Sequence, residues 1–249
     1  MKLALETIPV WDGVKSGSEC FLCDLMEEAE RDGVRYYLSS AIMTPEVRVE
    51  TNRHGFCRRH LGLMAEANKP QSLSLVMDTY YGEHRSQFVS LFDKVKESGN
   101  PRKAQKIFSS FFDLYEERSE GCLICSRMKD RLDRYTFTVA SLYGEDPEFR
   151  KALTESKGFC IHHTKALFDM APEALSGSML LEYYQTLADL LEKNLDRVQH
   201  DDWWQSQKYK SENRDKPWDG CEDAAKRAVY KFTGKGHVID PVAENKGRR

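Results

Sequence analysis

The chain has 249 residues, enough for one large domain or two small ones, and its 40% apolar and 31% charged residues describe many solvated helix faces. A net charge of −3 argues against a general nucleic-acid binder, and no apolar run approaches the roughly 20 residues of a membrane span. The apolar start at Met1–Leu5 is too short for a signal peptide and is broken by Glu6, so a cytoplasmic location with reduced thiols is the expectation.

In chain order, the first element is Cys20-x-x-Cys23, with a helix expected to leave it over 24–42. Pro45-Glu46-Val47-Arg48 follows, and Val47 with Val49 suggests one short extended piece. Gly55-Phe56 then leads into Cys57-x-x-His60. Apolar residues at helical spacing predict a helix over 72–98, ended by Ser98-Gly99-Asn100. Pro101 opens another, over 101–118. Cys122-x-x-Cys125 starts the cycle again, with a helix over 126–143, Pro147-Glu148-Phe149-Arg150, and Gly158-Phe159-Cys160-x-x-His163. Segment 174–199 repeats the long helix. Residues 200–219, carrying Trp203-Trp204 and Pro217, read as an irregular or partly helical arm, and the charged stretch from Gly234 reads as a mobile tail.

Shifting the chain by 102 positions places Cys20 on Cys122 and Pro45 on Pro147; one inserted residue later, a shift of 103 places Cys57 on Cys160, His60 on His163 and Tyr80-Tyr81 on Tyr183-Tyr184. The predicted fold is therefore mainly α, with two tandem pseudo-symmetric helical repeats over 1–100 and 101–200 and an arm over 201–249. The arm carries a broken third echo at Cys221, read as a vestige or an ordinary thiol.

Three thiols and one imidazole in short pairs separated by a long insert suit a closed tetrahedral metal site. The inserts within each repeat are nearly equal, 34 positions from Cys23 to Cys57 and 35 from Cys125 to Cys160. The expected ligand sets are therefore Cys20, Cys23, Cys57 and His60 in the first repeat, and Cys122, Cys125, Cys160 and His163 in the second, each stapling its own repeat. Two Zn2+ per chain is the leading assignment, with an iron–sulfur cluster as the alternative. His162 and His54 flank the motifs and are read as non-ligands. Arg48 and Arg150, in the repeated Pro-Glu-x-Arg, are candidates to offset the negative charge of a Cys3His zinc centre from outside the ligand shell, against the plainer reading of a local Glu–Arg pair. The two Tyr-Tyr pairs are read as helix packing, with a groove between the copies as the alternative.

These motifs, together with Glu6-Thr7-Ile8-Pro9-Val10 and the stretch Met43–Asn52, resemble an uncharacterised bacterial, Firmicutes-type family carrying the same duplicated halves, whose members are sometimes labelled transporter substrate-binding proteins. The resemblance implies a metal-bearing helical fold and supplies no activity. No Ser/His/Asp set, catalytic carboxylate pair or phosphate-binding glycine loop is visible. The expectation is a non-catalytic, zinc-stabilised binding or scaffold protein with an unidentified protein partner and no membrane contact. The alternatives are a redox protein and a nucleic-acid-binding zinc protein, the latter drawing on Arg58-Arg59, Arg102-Lys103 and the basic C-terminus.

Overall fold

The computed structural model describes residues 6–235, with residues 118–120 described by backbone alone. These residues form eleven α-helices with short 3-10 turns at Ser40–Met43, Ala171–Glu173 and Ser211–Asn213, and no strand occurs among them. The helices are α1 (Thr7–Lys15), α2 (Phe21–Tyr37), α3 (Pro45–His54), α4 (Arg58–Glu66), α5 (Pro70–Lys96), α6 (Pro101–Glu120), α7 (Leu123–Glu145), α8 (Pro147–Glu155), α9 (Ile161–Met170), α10 (Gly177–Lys208) and α11 (Ala224–Thr233). The series from α1 to α5 recurs in kind from α6 to α10, as expected of two helical repeats.

Proline sets several of the starts. Pro45, Pro70, Pro101 and Pro147 each occupy the first helical position, where the missing N–H costs nothing and φ is already helical. Asp146 caps α8, its Oδ1 accepting from Glu148 N at 2.9 Å and Phe149 N at 3.3 Å. The same proline effect overrides the expected extended piece: Val47 and Val49 lie within α3, because β-branching lowers helix propensity only slightly once Pro45 has nucleated the turn.

The chain divides into two compact units that do not follow the repeat boundaries at residues 100 and 200. One draws its described residues from Met1–Glu28 and Lys129–Pro241, the other from Ala29–Met128. The chain leaves the first unit within α2 and returns to it within α7.

In the first unit, Trp11 of α1 meets Phe149 of α8 edge-on at 5.1 Å, Phe21 meets Phe159 at 5.1 Å, and Tyr143 meets Tyr183 at 4.9 Å. Fully burying one such ring contributes roughly 1.5–3 kcal/mol. The expected irregular or partly helical arm is partly helical here, and side-chain bonds tie it down. Helix α10 runs on to Lys208, whose Nζ donates to Asn213 O at 2.9 Å and Arg214 O at 2.6 Å and lies 5.3 Å from the Trp218 ring. Gln205 then ties down α11, donating to Glu222 O and accepting from Ala225 N, both at 2.7 Å. The expected mobile tail lies, beyond residue 235, outside the described residues.

In the second unit, Tyr37 meets Phe56 edge-on at 5.0 Å, and Phe111 of α6 packs against Phe88 and Phe92 of α5 at 5.3 and 5.0 Å. Met64 and Val76 are buried in the same unit.

Candidate metal centres

Each Cys-x-x-Cys straddles a helix start. Cys20 precedes α2 and Cys23 sits in its first turn, with Cys23 N donating to Cys20 O at 3.0 Å; Cys122 and Cys125 bear the same relation to α7. Cys57 and Cys160 are the N-cap residues of α4 and α9, so His60 and His163 fall in the first turns of those helices, three positions on. Glycine makes the entry possible. Gly55 holds φ +69° and Gly158 φ +66°, and a Cβ on Gly55 would stand 3.0 Å from the Tyr80 ring. Every half-motif thus brings its thiols to a helix N-terminus, where unpaired N–H groups and the helix dipole favour thiolate. His163 N donates to Cys160 Sγ at 3.4 Å in this way.

All eight predicted ligands come together in two groups of four, but the halves are exchanged. Cys20 and Cys23 meet Cys160 and His163, while Cys57 and His60 meet Cys122 and Cys125. Neither repeat closes its own site. Each group lies within one compact unit, the first in the unit containing α9 and the second in the unit containing α4.

In the Cys160 group, both Cys20 Sγ and Cys23 Sγ lie 3.8 Å from Cys160 Sγ and 3.3 Å from His163 Nδ1, and Cys160 Sγ is 3.4 Å from that nitrogen. In the Cys57 group, His60 Nδ1 is 3.2 Å from Cys57 Sγ and Cys122 Sγ and 3.4 Å from Cys125 Sγ, with 3.8 Å between the Cys57 and Cys125 sulfurs. Within each group every ligand atom is within 4.8 Å of the others. A tetrahedron drawn with Zn–S of about 2.3 Å and Zn–N of about 2.0 Å has S···S edges of about 3.8 Å and S···N edges of about 3.5 Å. The donor set and its spacing therefore fit a single four-coordinate ion.

The thiols and imidazoles bias one another strongly. Burial works to depress the His60 imidazole, yet hydrogen bonds from Cys122, Cys57 and Glu30 push it up to about 11. Burial likewise opposes charge on His163, and the Cys20 and Cys160 sulfurs push it up to about 10. Burial raises the Cys20 thiol, but contacts with Cys160, Cys23 and His163 hold it well below the ordinary thiol range. Cys57 is held low by Cys122 and Cys125, whereas Cys23 and Cys125 are pushed up by the sulfurs beside them. The members of each group thus compete for the same protons, as thiols and an imidazole gathered at one point must, and that is donor chemistry able to hold a divalent ion.

Outside the ligand shell the two groups differ. His60 Nε2 lies 3.2 Å from Glu30 Oε1, and Arg59 grips the same carboxylate with two bonds of 2.8 Å. Burial raises the Glu30 carboxyl, but His60 and Arg59 outweigh it and keep it below its usual value. His163 Nε2 is buried with no hydrogen-bond partner among the described residues. The repeat explains the difference: 30 plus 102 is 132, and Leu132 stands where the first repeat has Glu30. The Cys160 group instead has Lys231 of α11, a fully buried side chain whose Nζ donates to Glu19 O at 2.7 Å and Lys157 O at 2.8 Å and pairs with Glu19 Oε2 at 3.3 Å.

Neither of the two expected arginines is bonded to a cysteine or histidine of either group among the described residues. Arg150 donates to Tyr143 O at 3.0 Å, stacks on the Tyr143 ring and meets Glu182, while Arg48 makes no side-chain bond to a ligand among the described residues. Arg59 reaches the Cys57 group through Glu30, and Lys231 bonds the backbone carbonyl of Glu19, next to Cys20. Arg59 had a signal, being adjacent to His60; Lys231 had none, since it lies 211 positions from Cys20 and only folding brings it there. Cys221 belongs to neither group and is buried, with Asp219 O 3.8 Å from its sulfur. No described helix is long and apolar enough to cross a membrane.

The chain belongs to a family of unknown function, DUF6062, whose model matches residues 1–238. No curated protein and no solved structure matches it.

Proposed function

We propose that this protein is a helical binding or scaffold module stabilised by two structural Zn2+ ions, acting on a protein partner rather than catalysing a reaction. The metal assignment rests on one observation: two sets of three sulfurs and one imidazole nitrogen at the edges of a single-ion tetrahedron. Four protein ligands leave no open position for a substrate, which supports a structural ion over a catalytic one. Sulfurs 3.8 Å apart share one ion, whereas a polynuclear iron–sulfur cluster spreads its cysteines over separate irons.

Support for a protein partner comes from α6, where Phe108, Phe112 and Tyr115 are 42%, 54% and 53% exposed, more aromatic surface than solubility favours. The nucleic-acid reading has less support, since Arg59 is committed to Glu30. Elemental analysis of protein purified anaerobically without added metal tests the assignment. Two zinc ions per chain and no visible absorption are expected; iron with a visible chromophore, or fewer than one ion per chain, would count against it.

A further inference from the structure

Beside the Cys57 group, wholly within the second unit, lies a cavity of about 320 Å3. Its walls are aromatic and aliphatic, with Phe56, Val76, Tyr80, Phe88 and Tyr115 among them. Arg58 is the one charged side chain in the lining; it is exposed and has no ion pair among the described residues. Size and composition fall in the range of small-molecule sites, which are apolar with few fixed polar groups.

The other repeat shows that this space is not imposed by the fold. Tyr80 corresponds to Tyr183, since 80 plus 103 is 183. Tyr183 is fully buried under Tyr143, whose counterpart is Ala41, 143 minus 102. Arg58 corresponds in the same way to Ile161, since 58 plus 103 is 161. One repeat therefore buries its tyrosine under a second tyrosine, while the other leaves Tyr80 lining a cavity with an unpaired guanidinium at its edge.

We infer that this cavity binds a small aryl carboxylate, its ring among the tyrosines and phenylalanines and its carboxylate on Arg58. A single guanidinium matches one carboxylate in a two-pronged hydrogen bond. The rings offer edge and face contacts to an aromatic body. Gly55, Phe56 and Arg58 flank the ligand Cys57, so a metal ion there fixes one wall of the site.

Calorimetric titration of the full, metal-loaded chain with 4-phenylbutyrate and with the neutral 4-phenylbutan-1-ol tests this. Saturable 1:1 binding of the acid is expected, about tenfold tighter than the alcohol, as one charge-assisted hydrogen-bonded pair would give. Arg58→Ala, at an exposed position, should bring the acid down to the affinity of the alcohol and leave the alcohol unchanged. Met77→Trp, which fills the cavity, should abolish both. The inference is overturned by no saturable binding of the acid up to about 10 mM, where even weak fragments bind, by an acid affinity indifferent to Arg58→Ala, or by sedimentation showing that a second copy of the chain already covers the site. Because the alcohol and Arg58→Ala arms read the cavity and the metal count reads the clusters, failure here is distinct from failure of the zinc assignment.

Discussion

Paired serine substitutions decide whether the half-sites are truly exchanged. Cys20 and Cys160 share one group while Cys20 and Cys57 do not. Structural zinc binding is on the order of 10–16 kcal/mol at neutral pH. Losing one of four ligands should remove about a quarter of this, roughly 3 kcal/mol, or about two orders of magnitude in affinity. A chelator of intermediate strength will then strip the damaged site and spare the intact one. The double variant Cys20→Ser/Cys160→Ser should retain one zinc per chain by native mass spectrometry, held by the Cys57 group. Cys20→Ser/Cys57→Ser should retain none, because each substitution damages a different group. Closure within each repeat demands the opposite pattern, so one ion kept by the Cys20/Cys57 variant and none by the Cys20/Cys160 variant would refute the exchange.

Three further outcomes follow from particular contacts. Glu30→Gln weakens the acceptor for His60 Nε2 and strands Arg59, so the Cys57 group should lose 10–100-fold in metal affinity in chelator competition, with the Cys160 group unchanged; equal loss at both would contradict the one-sided support. Glu19 is held below its usual carboxylate value, burial opposing and Arg197, Lys231 and Lys157 prevailing. Its contribution, about 2 kcal/mol, is therefore fully present above its unfolded pKa of about 4 and fades as pH falls through the lowered folded value. The difference in unfolding free energy between the native chain and Glu19→Gln should be flat from pH 7 to about 5 and narrow below that; a difference that is constant down to pH 2 would mean that the carboxylate's charge is not what stabilises. Gly55→Ala forces a side chain into φ +69° against Tyr80, whereas Gly17, at the same φ, faces open space. Thermal unfolding should show Gly55→Ala costing more than Gly17→Ala, each by at least about 1 kcal/mol; equal costs would mean that Tyr80 yields freely.

The element order was legible from sequence because its signals are local. Four prolines at first helical positions and helical spacing of apolar residues locate most of the eleven helices, and paired cysteines with Gly-Phe-Cys-x-x-His mark all eight ligands. The partly helical arm was legible but its anchoring was hidden, because that rests on contacts such as Lys208 with Asn213 and Lys231 with Lys157, which no local pattern announces.

The partition of the ligands was hidden for a different reason. Both Cys-x-x-Cys halves and both Cys-x-x-His halves carry the same chemistry, so sequence alone defines the pieces but leaves either pairing open. Separation along the chain favours closure within a repeat, 34 positions against the 140 between Cys20 and Cys160. That preference is weak: loop-closure cost rises by only about 0.6 kcal/mol per doubling, hence about 1.2 kcal/mol over a fourfold difference. Contacts beside each group oppose it, Phe21 against Phe159 in one and Leu123 N donating to Gly55 O in the other, and only the tertiary structure decides which sulfurs meet which imidazole.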